Sequence, residues 1–305
     1  MRPSDDIRRY CANATLEPLA TTCDYSLLSF SYPEHSSVSR EAGRPLLQVR
    51  KLSENFFQLN VQQYPFPIQS FLHSEDIDAY DDKCTIAVFP DGLVSGKIPH
   101  PASNLAGVSE WVKQSLLATS ESVLNILDYG SSKWFFFELY QDRVFSAHLL
   151  QKLHQGFLQP TLAVFVVPPW VITLDLFRSL VDVEVVRDLR SATRLRARLG
   201  DCCDLSPPEL LWCEIYDRCM DMSVTRFVLT SYDYWVFGHL SQDSGSCFAT
   251  ITPVMHPRSS GPTLLQAIVF HVRPTEYRDI GLSSQVSTAS SWVCGGLLNT
   301  VHLST

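Results

Sequence analysis

Between residues 206 and 254 the chain is punctuated so closely that few architectures can accept it: a helix start, an aromatic hairpin and a third apolar run follow in order. Ser206-Pro207-Pro208-Glu209 sets a hydroxyl at the N-cap, proline at the first helical position and a carboxylate at N3, so the orphan amides of a first turn are satisfied reciprocally. Leu211, Trp212, Ile215, Tyr216 and Cys219 then recur as one buried helical stripe. Residues 225–230 (TRFVLT) and 235–240 (WVFGHL) are β-rich runs joined by Ser231-Tyr232-Asp233-Tyr234, and 247–254 supplies a third run after a Ser/Asp/Gly turn. A helix followed by an antiparallel meander is the expected result.

At 305 residues and 45% hydrophobic content the chain can bury a substantial core. A formal charge of −8, spread without an acidic tail, weighs against general attraction to nucleic acid or to anionic membrane. Charges in the first 22 residues interrupt what a secretory signal would need, and the longest apolar stretch, 162–177, contains Pro168-Pro169 and Asp175 and is too short to span a bilayer. Nine cysteines without a CxxC pair, with Cys84, Cys213, Cys219 and Cys247 inside apolar patterns, imply reduced buried thiols and a cytoplasmic or nuclear setting. Asn13-Ala14-Thr15 matches a glycosylation acceptor but has no export signal beside it.

Residues 1–45 lack a sustained period and are expected to form a loosely attached arm, 46–280 a single α/β core domain, and 281–305 a Ser-rich tail. Within the core, Phe57, Leu59 and Val61 alternate with polar neighbours and predict a strand ended by Pro65 and Pro67, and 84–89 predicts another ending in the turn Pro90-Asp91-Gly92. Val108, Trp111, Val112 and Leu116 follow helical spacing, 133–140 (KWFFFELY) reads as a buried strand, Phe145, Leu149, Leu153 and Phe157 predict a helix, and 161–167 (TLAVFVV) a strand. That strand–helix–strand order predicts a parallel pair in a mixed sheet covered by helices, a class that includes the restriction-endonuclease fold. Pro168-Pro169-Trp170 ends the last strand, Thr173 caps a short helix, 187–199 forms another, and 261–272 forms a C-terminal helix.

Three segments, VVPPWVIT at 166–173, LWCEIYDRC at 211–219 and RFVLTSYDYWVFGHLS at 226–241, resemble an uncharacterised family of fungal, particularly basidiomycete, proteins, with a weaker continuation through 262–270. The resemblance covers roughly the carboxyl-terminal half. It implies fold and origin and transfers no reaction.

The enzymatic candidate is a metal-dependent nuclease-like set, in which an Asp near one strand and a Glu-x-Lys on the next hold Mg²⁺ and polarise water. Asp91 and Glu138 resemble the first two elements. Tyr140 stands where lysine is required, leaving Lys133 at the opposite end of the strand as its substitute. Arg187, Arg190, Arg194 and Arg198 would line one face of a continuous helix and grip phosphate, although nearby acids make a solvated, salt-bridged face the preferred reading. Tyr232 and Tyr234, at the hairpin turn, are the expected exposed members of the aromatic hairpin and would offer a stacking platform, although a structural role is the preferred reading, with Phe227, Trp235 and Phe237 buried. The nine histidines contain neither HExxH nor zinc-type spacing, and 92–96 is GxxSG and not a nucleophile elbow. The leading expectation is therefore an interaction or ligand-binding module with a protein or small-molecule partner and no cofactor; Mg²⁺ enters only under the nuclease-like alternative.

Overall fold

The first turn that the sequence specifies is formed as its chemistry requires. In a helix spanning Pro207–Asp221, the Glu209 carboxylate closes a capping box, accepting from the Ser206 amide at 2.9 Å and from its hydroxyl at 2.7 Å. Ser206→Ala removes this anchor and is expected to lower stability by about 1 kcal/mol in urea titration. An unchanged midpoint and slope would show the cap to be energetically idle.

The computed structural model describes residues 7–22, 47–62, 100–128, 132–141, 144–186, 205–243 and 246–273. All of them belong to one compact unit, Met1–Arg273. In chain order the elements are α1 (Ile7–Asn13), β1 (Leu47–Lys51), α2 (Glu54–Gln62), α3 (Leu105–Val112), a π-helical turn (Lys113–Leu117), α4 (Ala118–Leu127), β2 (Lys133–Gln141), β3 (Ser146–His154), β4 (Phe157–Val166), α5 (Leu174–Val181), β5 (Val185–Val186), α6 (Pro207–Asp221), β6 (Arg226–Thr230), β7 (Trp235–Asp243), β8 (Ser246–Ile251) and α7 (Leu264–Val272). The strands form one mixed sheet in the order β2-β3-β4-β6-β7-β8-β1-β5, parallel at β4–β6 and β1–β8 and antiparallel elsewhere.

Alternation along the central strands divides the core. Leu162, Val164 and Val166 of β4 pack with Val228, Trp235 and Phe237 under α1, α2, α3, α4 and α7. Ala163 and Phe165 face the other way and join Phe227, Leu229 and Val236 beneath α5 and α6. The expected α6 stripe is buried there, and the Trp212 ring meets Phe227 edge-on at 5.7 Å. The meander β6–β7–β8 is present, as are the strand at 133–140, the Thr173 cap, whose Oγ1 accepts from the Leu176 amide, and the C-terminal helix.

Two expectations are corrected, for one physical reason. A spacing of four fits both a helical turn and one face of a strand. Residues 57–61 form helix α2 and not a strand: Phe57 and Val61 are buried but Leu59, which a strand would bury beside them, is 53% exposed. Residues 145–157 are the reverse case. Phe145, Ala147 and Leu149 are all buried against one core, a period of two, and β3 pairs antiparallel with both β2 and β4, so the predicted helical crossover does not exist. Part of the expected arm is also core, since Tyr10, Cys11, Ala14 and Leu16 are buried. The strand at 84–89, the helix at 187–199 and the tail at 281–305 lie outside the described residues.

Side chains cover the first part of the β2 edge of the sheet. Asn125 of α4 accepts from the Trp134 amide at 2.7 Å and donates to the Trp134 carbonyl at 2.9 Å, as a neighbouring strand would. The Glu121 carboxylate accepts from the Phe136 amide at 2.9 Å. Burial raises the Glu121 pKa, and the Phe136 amide and Lys133 act in the opposite direction.

Candidate functional site

Of the residues singled out in the sequence, Glu138 is the one that the fold sets beside other chemically useful groups. It is exposed on β2 and lies in register with His148 of β3. Side chains of even-numbered β3 residues near that point face α3, so Ser146 and His148 meet Ser109, which lies on the buried face of α3 between Val108 and Val112.

Four groups then form a chain. His148 Nε2 is 2.7 Å from Ser109 Oγ, Ser109 Oγ is 2.8 Å from Ser146 Oγ, and Ser146 Oγ donates to Glu138 Oε1 at 3.4 Å. A carboxylate only accepts, so the terminal contact orients the rest. Ser146 gives its proton to Glu138 and accepts from Ser109; Ser109 accepts from Nε2–H. His148 is thereby held as the Nε2–H tautomer, and its buried Nδ1 has no hydrogen-bond partner. Burial pushes its pKa down to about 4, with Lys113 lowering it further and Glu110 opposing. Ser109 is 3% exposed, so the Ser109–His148 contact does not present a nucleophile to solvent.

The other candidates are not assembled with it. Lys133 sits at the far end of β2, paired with Leu153, and an odd number of residues from Glu138, so the two side chains leave opposite faces of the strand. Asp91, Arg187, Arg190, Arg194 and Arg198 lie outside the described residues. The expected exposure of Tyr232 is overturned: the residue is fully buried at φ 74°, its hydroxyl donates to the Glu17 carbonyl at 2.7 Å, and the Trp111 ring stands edge-on to it at 5.6 Å. Burial raises its pKa far above the usual phenol value. Tyr234 is half-buried between Phe177 and His256, so the two tyrosines do not form a platform. Phe227, Trp235 and Phe237 are buried as expected.

The sequence does not single out Ser109 and Ser146, and His148, placed there on a helix with His154, is set aside as an ordinary core or surface histidine. The available signal was polar residues at positions that the surrounding apolar periodicity assigns to the core. Among the described residues no group of three or more His, Cys, Asp or Glu is placed to hold a metal ion, and no helix is long and apolar enough to cross a membrane.

A second feature lies at the distal end of the β2–β3–β4 unit. The first residues of β4 pair with β3 but extend beyond β6, which begins its pairing at Ala163. Around the Gln155-Gly156 turn, Phe157 is 78% and Leu158 55% exposed. Leu158 pairs with Leu153, which pairs with Lys133, and the next residue along that face of β2 is the half-buried Phe135, its ring 6.4 Å from Phe137. Comparison of the chain with protein-family models, with curated proteins and with solved structures gave no match in any of the three.

Proposed function

We propose that this chain is an interaction module whose binding surface is the distal β2–β3–β4 unit and whose partner is a protein presenting an apolar surface. The observation that carries the reading is the exposure of Leu158 at the hairpin tip, on the face of the unit that also carries Leu153 and the half-buried Phe135 and Phe137, with Phe157 standing in solvent beside it on the opposite face. The resemblance at 166–173, 211–219 and 226–241 makes a fungal origin part of the same proposal, as composition does a cytoplasmic or nuclear setting. A photo-crosslinking residue at position 157 is expected to trap a discrete protein in host cells, and Leu158→Asp to abolish that product while leaving circular dichroism unchanged. Labelling no different from that at the exposed Arg178 would remove the reading.

The nuclease-like alternative rests on Glu138 as a metal ligand beside Asp91. Carboxylates that share a metal repel one another without it, so a working site would raise the melting temperature in Mg²⁺ or Mn²⁺. No such shift is expected. A saturable shift that Asp91→Ala eliminates, accompanied by metal-dependent cleavage of DNA or RNA, would favour the enzyme.

A further inference from the structure

We propose that His148 is an acid-sensitive latch holding α3 on the sheet, oriented through Ser109 and Ser146 by the surface carboxylate of Glu138. At neutral pH the chain Nε2–H to Ser109, Ser109 to Ser146 and Ser146 to Glu138 uses every hydroxyl proton once, in one direction. It joins α3 to both β2 and β3 through groups that are otherwise buried.

Protonation changes the arrangement at one atom. The added proton goes to Nδ1, which then becomes a buried donor with no acceptor, while the ring acquires a positive charge out of water. Among the described residues the charged groups that face it are Glu110 from α3, Lys113 from the π-helical turn and Glu138 from β2; β4 presents Val164 in register. Lys113 repels the imidazolium, and the single hydrogen bond towards Glu138 runs through two hydroxyls. The cheapest relief is for α3 to lift, letting water reach Nδ1. The helix is short and continues directly into the π-helical turn Lys113–Leu117, so the two would open as one segment. Lifting would expose Val108, Trp111 and Val112, so acid would uncover an apolar surface on the opposite face of the sheet from α6.

The sign follows from the neutral form being the one that folding favours. A histidine whose folded pKa lies below 6.5 contributes stability that is present above pH 6.5 and is lost as pH falls from there towards the folded value, about 4 for His148. Burial also lowers His239, to about 4, and His271, to about 3, but these lie on β7 and α7, where His271 Nε2 donates to the Gly238 carbonyl at 2.9 Å. Their titration is therefore distinguishable by place.

Hydrogen exchange of the intact chain, corrected for the intrinsic effect of pH, tests the latch. Between pH 7 and 4.5 the amides of 105–117 are expected to lose at least tenfold in protection while 162–166 and 226–230 stay protected, and His148→Leu to keep 105–117 closed throughout. Unchanged protection of 105–117, its loss only together with the whole core, or an identical acid response in His148→Leu would overturn the proposal. The wild type supplies a check that no variant can spoil: nitrogen NMR of its histidines is expected to show His148 as the Nε2–H tautomer, titrating well below 6.5. An Nδ1–H tautomer or ordinary titration overturns it equally.

Discussion

Asp128→Ala is expected to cost about 3–5 kcal/mol in equilibrium unfolding, among the largest effects of any single polar change in the described core. Asp128 ends α4 and is 7% exposed, yet it receives three elements. Its Oδ2 accepts from Trp134 Nε1 of β2 at 2.7 Å and pairs with Lys152 of β3 at 3.3 Å, and its Oδ1 pairs with Arg273, at the end of α7, at 2.8 Å. Lys152 also lies over the Trp134 ring at 5.0 Å. Removing the carboxylate leaves an indole N–H and a mostly buried guanidinium without their shared acceptor, and those desolvated donors account for more of the loss than the missing attraction. Asp128→Asn, which keeps an acceptor oxygen, should lose clearly less. Equal losses in the two variants would mean that shape, and not hydrogen bonding, is what Asp128 supplies.

Gly238→Ala is expected to destabilise by about 3 kcal/mol although it adds one methyl group. Gly238 of β7 faces Phe227 of β6 in register, and the phenyl ring lies across the glycine in place of a side chain. A Cβ there would be 2.8 Å from Phe227 Cε2 and closer still to two other ring atoms, while the ring is held from behind by Trp212. Relief must come from moving a packed pair of aromatics. Phe227→Leu combined with Gly238→Ala should therefore cost less than the sum of the two single changes, a coupling readable from a double-mutant cycle. Additivity would show that the ring rotates away freely.

The carboxyl-terminal half was legible because its signals are local. A capping box needs residues three apart, a meander needs short turns, and both are present where 206–254 predicted them. The amino-terminal half was misread at 57–61 and 145–157 because the identity of each element depends on which neighbours bury it, and four-residue spacing leaves that open. The polar chain at His148 was illegible for a stronger reason: Ser109, Glu138 and His148 come from three elements, and only the antiparallel β2–β3 register, itself obscured by the missed strand, sets them together. Tyr232 misled through its surroundings, since a Ser/Tyr/Asp/Tyr turn usually meets solvent, whereas here the residues around Glu17 cover it.

The pairing of Asn125 and Glu121 with the outer edge of β2 has a consequence for how this molecule behaves in a crowded solution. A nine-residue edge strand rich in phenylalanine is the kind of template on which other chains assemble into fibrils. At the opposite end the described part of the sheet ends with Val185 and Val186 of β5 paired to β1. At the β2 end, two helix side chains take up the Trp134 amide and carbonyl and the Phe136 amide, part of the edge that an invading strand would need. The chain can thus leave Phe157 and Leu158 in solvent for recognition while part of the phenylalanine-rich edge two strands away is withheld, which separates stickiness that selects a partner from stickiness that propagates.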